Sequence, residues 1–175
     1  MEPNIGQEIR SFDKVIPYLG KRTLIVCDVD YTLVDYGKPF AHFLKGDEAE
    51  AYKAYDDYIR THEPRHTDPA GFIQLMKEVL HTDSHLIFVT ARPDHWEDFT
   101  RKEFTTLNLY YDFFEVYYLN GQCKAEFCQR YLEGTTKGTK EKRFEQVVLI
   151  DDYKKNIQAF QDLMPGSKTF LFKCA

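Results

Sequence analysis

Residues 23–33 read Thr-Leu-Ile-Val-Cys-Asp-Val-Asp-Tyr-Thr-Leu, an apolar run of strand length that ends in two acids separated by one valine. The run Thr23 to Val29 is rich in β-branched residues and has no polar/apolar alternation, which is the pattern of a strand buried on both faces. It is therefore expected at the centre of a sheet. Two carboxylates at the end of such a strand are costly to bury, so each needs a cation or hydrogen-bond donors to stay charged.

Outward from this strand, the same pattern recurs and alternates with helical spacing. Asp68-Pro69 is an N-cap with proline at the first helical position, and Phe72, Leu75, Met76, Val79 and Leu80 follow at helical intervals, predicting a helix packed on the sheet. His85 to Thr90 (HLIFVT) is a second strand. Pro93 to Leu107 reads as a helix with Trp96, Phe99 and Phe104 inward. A third strand is expected near Phe113 to Leu119. Lys124 to Leu132 is helical with Phe127, Cys128, Tyr131 and Leu132 inward. Gln146 to Ile150 (QVVLI) is a fourth strand, Tyr153 to Leu163 a helix, and Thr169 to Phe172 a fifth strand. Alternating strands and helices define an α/β fold, a doubly wound parallel five-stranded sheet. In such folds ligands bind beyond the carboxyl ends of the strands. That edge collects Asp28 and Asp30, Thr90 and Arg92, Lys124, and Asp151 and Asp152.

With 175 residues the chain is expected to form one domain, 1–175. Apolar residues are 43% and charged residues 29%, ordinary values for a globular protein, so disorder is excluded. A net charge of -5 disfavours nonspecific attraction to nucleic acid or anionic lipid. Nowhere are there eighteen consecutive apolar residues, and the first fifteen hold no signal-like run, so no membrane association and a cytoplasmic location are expected. Cys27, Cys123, Cys128 and Cys174 form no Cys-x-x-Cys pair and read as reduced thiols packed as small hydrophobes. The run Lys137, Lys140, Lys142, Arg143 sits before the fourth strand, at the opposite edge from the acids, and reads as a solvated loop.

Asp28, Asp30, Asp151 and Asp152 form an all-oxygen donor set, which suits hard Mg²⁺ better than zinc. Taken alone, each element has a plain structural explanation: Thr90 as a strand-end hydroxyl, Lys124 as a helix-start lysine, Asp151-Asp152 as a helix cap. Their joint register is what points to chemistry.

The sequence DVDYT after a strand, Thr90 closing the second strand, Lys124 after the third and LIDD after the fourth resemble the four ordered motifs of the haloacid dehalogenase (HAD) superfamily. The resemblance implies a HAD-like Rossmannoid fold and a magnesium-dependent phosphomonoester hydrolase. Asp28 would attack phosphorus to give an aspartyl-phosphate, and Asp30 would serve as general acid and then general base. Thr90 and Lys124 would bind phosphate oxygens, and Thr32 would support the nucleophile loop. Asp28, the Asp30 carbonyl and Asp152 would hold the metal, with Asp151 bound directly or through a neighbour. Arg92 either touches substrate phosphate or forms a surface ion pair. Tyr31 departs from the glycine commonest at its position.

The resemblance further implies a minimal or absent cap domain. Residues 34–66 have room for a flap and one small helix, roughly Asp47 to Arg60, whose Tyr52, Tyr55 and Tyr58 either line a pocket or cover the core; cover is the favoured expectation. A capless site implies a phosphorylated substrate that extends to macromolecules, a phosphoprotein or a nucleic-acid end. ThrAlaArg at 90–92, PheThrArgLys at 99–102 and LIDD are similar to the phosphatase domain of phage polynucleotide kinase-phosphatase. SFDKVIPYL (11–19), TLIVCDVDYTL, KAEFCQRYL and VVLIDDYKKNI are similar to an uncharacterised bacterial family with exported members, which keeps delivery into a host cell as the alternative location. A phosphotransferase and a catalytically weak effector are the competing activities.

Overall fold

The computed structural model describes residues 6–136 and 143–174. Strand β1 (Gln7–Ile9) leads through a 3₁₀ segment (Phe12–Tyr18) to β2 (Thr23–Cys27). Then come β3 (Val34–Asp35), α1 (Glu48–Arg60), β4 (Arg65–His66), α2 (Pro69–His81), β5 (His85–Thr90), α3 (Glu97–Thr106), β6 (Glu115–Tyr118), α4 (Lys124–Thr136), β7 (Gln146–Asp151), α5 (Lys154–Leu163) and β8 (Lys168–Phe172).

The main sheet has the order β1-β8-β7-β2-β5-β6, and every pairing in it is parallel. The fold is the expected α/β class, with β2 central and all five of its residues buried. The sheet has six strands, not five. β1 was not foreseen because it is only three residues long with two of them exposed, carrying no hydrophobic pattern of its own. Pairing with β8, Gln7 opposite Phe170 and Ile9 opposite Phe172, makes it a strand.

Alternate residues of each strand feed two cores. Ile25, Cys27, Phe88, Val148 and Ile150 pack with Phe72, Leu75 and Val79 of α2 and Phe104 of α3, while Leu24, Val26, Ile87, Val89 and Leu149 pack with Ala125 and Cys128 of α4 and Ile157 and Phe160 of α5. Each fully buried side chain of this size contributes about 1.5–3 kcal/mol. Leu80, expected on the inner stripe of α2, is instead 70% exposed. It lies one residue from the helix end, where the stripe has rotated off the sheet.

Asp68 caps α2 as its position implied, accepting from Gly71 N at 3.0 Å, and it also receives Ser11 Oγ at 2.6 Å and Phe12 N at 2.9 Å. One carboxylate thus fastens both the helix start and the 3₁₀ segment. All four cysteines are free thiols. No helix among the described residues is long and apolar enough to cross a membrane.

The chain runs from β2 outward to β5 and β6, then returns to β7 and β8 on the other side, so the direction of winding reverses at β2. The crevice at that reversal lies where β2, β5 and β7 end. Segment 34–66 rises from it on a two-stranded stem, Val34 opposite His66 and Asp35 opposite Arg65, with α1 between.

Candidate active site

The loop that carries Asp28 begins directly after Cys27, the last residue of β2. Asp28 N donates to Ile150 O at 2.9 Å, and Val29 O accepts from both Leu33 N (2.9 Å) and Val34 N (3.0 Å), folding residues 29–34 back over the strand end. Tyr31 sits there at φ +58°, a conformation that glycine adopts without strain. It is held by Tyr31 N to Val34 O at 2.7 Å and by Cys174 Sγ donating to Tyr31 O at 2.9 Å.

Lys124, at the first turn of α4, is buried and bridges two strand ends: Nζ lies 2.5 Å from Asp28 Oδ1 and 2.8 Å from Asp151 Oδ2. Thr32 Oγ1 donates to the other Asp28 oxygen at 3.3 Å. Asp151, fully buried, also accepts from Tyr153 N at 2.8 Å and from Asn156 Nδ2 at 3.0 Å. Asn156 stands four residues after Asp152, yet its amide holds Asp151. Asp152 accepts no hydrogen bond among the described residues. Asp28, Asp151 and Asp152 each present one carboxylate oxygen within 4.8 Å of the others.

Three acids thus face one lysine. Burial pushes the Asp28 carboxyl up to about 7, against the pull of Lys124. Asp152 rises to about 9, chiefly through burial and then through repulsion from Asp28 and Asp151. Burial alone would weaken the Lys124 ammonium, but the Asp151 and Asp28 charges outweigh it and hold the lysine protonated. A hard divalent cation fits this donor set: it would supply the missing positive charge, and the otherwise undonated carboxylate of Asp152 is placed to ligate it.

Asp30, two residues on, faces a different environment. Arg92 grips its carboxylate with Nε at 2.9 Å from Oδ2 and Nη2 at 2.8 Å from Oδ1, and Tyr55 Oη donates to Oδ1 at 2.7 Å. Burial alone would raise this carboxyl; the Arg92 charge and hydrogen bonds, with Tyr55, override it and hold Asp30 below the usual carboxylate value.

Arg92 forms an ion pair with a neighbouring acid, but a buried one: it is 4% exposed, and its other contacts run inward to Glu103 and Thr100. Thr90, buried at the end of β5, accepts from Arg92 N at 3.2 Å and brings its hydroxyl to the same strand edge. Tyr55 neither lines an open pocket nor merely covers the core, since its ring packs on Phe40 and Phe43 while its hydroxyl reaches Asp30. The residues Lys137, Lys140 and Lys142 lie outside the described ones; Arg143 is exposed.

Sequence reading missed Glu103 and Thr100 as members of this site. A signal was present: both fall on the face of α3 that carries Trp96 and Phe104 inward, and a carboxylate on an inward stripe demands a buried partner.

The parallel sheet order, with the acids gathered where its winding reverses, is that of a doubly wound, Rossmann-like α/β fold. A solved structure from Thermotoga maritima, assigned as a beta-phosphoglucomutase, is similar in fold, with a TM-score of 0.52 over 86% of this chain and 94% of that one, at 14% identity. Neither a protein-family model nor a curated protein matches the chain.

Proposed function

We propose that the chain is a magnesium-dependent phosphomonoester hydrolase that works through an aspartyl-phosphate on Asp28. The observation that carries this reading is the cluster itself: Asp28, Asp151 and Asp152 converge within 4.8 Å around a buried lysine, with a second acid on the same loop facing away from them.

Asp28 Oδ attacks phosphorus, and the bond from phosphorus to the ester oxygen breaks. Asp30, which Arg92 and Tyr55 hold ionised in the resting site, takes the proton of a phosphate monoanion and passes it to the departing oxygen. A water then attacks the phosphoryl group, Asp30 takes its proton, and the bond to Asp28 breaks to release inorganic phosphate. Lys124 keeps Asp28 aligned and offsets charge on the phosphoryl oxygens, and the Thr90 hydroxyl is positioned at the same edge to donate to them. Asp28, Asp152 and the Asp30 carbonyl would hold Mg²⁺, with Asp151 beside them, and the ion when bound supplies the counter-charge that lets an anionic substrate approach Asp28. Thr32 supports the nucleophile.

The name of the Thermotoga maritima neighbour favours phosphoryl transfer as the reaction class and keeps transfer to a sugar or alcohol acceptor as the second reading. The 34–66 segment is too small to enclose a large substrate, which supports an open site able to take a phosphorylated macromolecule. The test is release of phosphate from para-nitrophenyl phosphate with and without Mg²⁺, then from a panel of phosphosugars, nucleotides, phosphopeptides and 3′-phosphorylated oligonucleotides, each with and without added glycerol. Metal-dependent release that Asp28→Asn abolishes is the expected result. Background rates throughout, with Mg²⁺ bound, would instead favour an effector that keeps the fold and the metal site.

A further inference from the structure

Arg92 spends every donor it has inside the protein. Its five N–H groups go to Asp30 Oδ2 (2.9 Å), Asp30 Oδ1 (2.8 Å), Glu103 Oε1 (2.9 Å), Glu103 Oε2 (2.8 Å) and Thr100 Oγ1 (2.9 Å). The geometry is bidentate toward both acids, so the guanidinium plane and the Asp30 carboxylate fix each other's orientation. Glu103 is in turn bonded by Tyr36 Oη, and Thr100 Oγ1 is oriented by donating to Trp96 O at 3.0 Å.

The second support of Asp30 comes from segment 34–66. Tyr55 Oη donates to Asp30 Oδ1, and its ring is wedged between Phe40 (5.6 Å), Phe43 (5.6 Å) and Tyr31 (6.1 Å). Tyr36, at the base of the same segment, has its carbonyl held by Tyr58 Oη at 2.7 Å. From the end of α1, Arg60 lies over Trp96 and Phe99, at 5.2 Å from each ring, and Arg92 lies over the same two rings at 5.8 and 5.6 Å. Asp30 is thus held directly by α1 through Tyr55 and, by way of Arg92, by Thr100 and Glu103 of α3. Nothing about core packing alone requires a fully donated arginine there; a hydrophobic filler would cost less.

We propose that Arg92 and Tyr55 are positioning residues for the acid/base Asp30, Arg92 fixing the plane of its carboxylate and Tyr55 making the seating of the 34–66 segment a condition of proton transfer. This inference rests on the phosphohydrolase reading. Displacing the Asp30 carboxylate by a fraction of an ångström weakens its relay of a proton to the leaving oxygen and leaves attack by Asp28 largely intact. The loss should therefore depend on how badly the leaving group needs a proton.

The experiment compares kcat/KM for phenyl phosphate and para-nitrophenyl phosphate, two substrates of the same ring, in wild type, Tyr55→Phe and Arg92→Lys, all loaded with Mg²⁺. This ratio covers the steps through departure of the leaving group, so the shared hydrolysis of the aspartyl-phosphate drops out. Nitrophenolate departs readily unprotonated; phenolate does not. Tyr55→Phe keeps the ring and its packing, and should lose about 10-fold more on phenyl phosphate than on para-nitrophenyl phosphate, with Arg92→Lys losing roughly 10²-fold more, inside the 10²- to 10⁴-fold range of general acid catalysis. Circular dichroism checks folding, and Tyr55→Phe carries the test if Arg92→Lys does not fold. Equal losses on both substrates, or none, with an active wild type overturn the positioning role and leave the phosphohydrolase standing. A wild type without Mg²⁺-dependent turnover overturns the phosphohydrolase reading and this inference with it.

Discussion

Asp28 and Asp30 share a loop and a strand end, the first buried and the second partly exposed, yet they sit in opposite electrostatic surroundings. Asp28 shares its surroundings with two other acids and one lysine, and its carboxyl rises to about 7. Around Asp30 a fully donated arginine and a tyrosine hydroxyl more than offset burial, and its carboxyl is held low. The first pocket is short of positive charge and can accept a cation; the second is saturated and accepts none. Two residues of chain are enough to separate the two surroundings, because the chain leaves β2 at Cys27 and folds back over residues 29–34, so that Asp28 meets Lys124 while Asp30 meets Arg92 and Tyr55.

Replacing each acid should break the comparison unequally. Asp28→Asn is expected to reduce phosphate release to background, since no other described side chain is placed to replace its oxygen; assay of para-nitrophenyl phosphate at saturating Mg²⁺ decides it. Asp30→Asn should lose about 10²- to 10⁴-fold in kcat, and a loss below about 10-fold would remove it from the acid/base role.

A third prediction concerns the cation. Mg²⁺ at 100 times its dissociation constant should stabilise the folded protein by about 2.7 kcal/mol, seen as a rise in thermal midpoint that Asp152→Asn abolishes and Asp30→Asn largely retains. Equal midpoint shifts in the two variants would place the ion elsewhere.

The smallest effects should differ in sign. In chelator-treated protein the folded pKa of Asp28, about 7, lies above the ordinary carboxylate value. The folded state then binds more protons than the unfolded one across that window, and stability falls as pH rises from about 4 to 7. Asn at 28 removes that dependence and should raise the metal-free midpoint at pH 7, by about 2–4 °C for each kcal/mol recovered. Asp30 is shifted the other way, so its contribution is present at neutral pH and is lost as pH falls through its depressed folded value. Asp30→Asn should lower the midpoint at pH 7, because buried Arg92 loses an anionic partner. Thermal melts of both variants at pH 5 and 7, with chelator, measure the two signs.

Much of the architecture was legible because it rests on local pattern. The β-branched run at 23–29, the N-cap at Asp68 and the period of α2 each carry their own physical reason, and the alternation of strands and helices implied a parallel sheet whose ends gather Asp28, Thr90, Lys124 and Asp151. What stayed hidden had no local signature. β1 exists through its partner β8, and Leu80 leaves the core because α2 ends one residue later.

The sequence by itself determined which residues stand at the strand ends, since strand spacing and register follow from hydrophobic periodicity, and it placed the acids of the DVDYT loop beside Lys124 and Asp151-Asp152. Only the tertiary structure decided which partner each acid takes: Lys124 to Asp28 and Asp151, Asn156 to Asp151 rather than Asp152, and Arg92 with Tyr55 to Asp30. The reason is physical. Burial and register are set by short stretches of chain, whereas Lys124 and Arg92 meet Asp28, Asp151 and Asp30 across 27 to 96 residues of sequence.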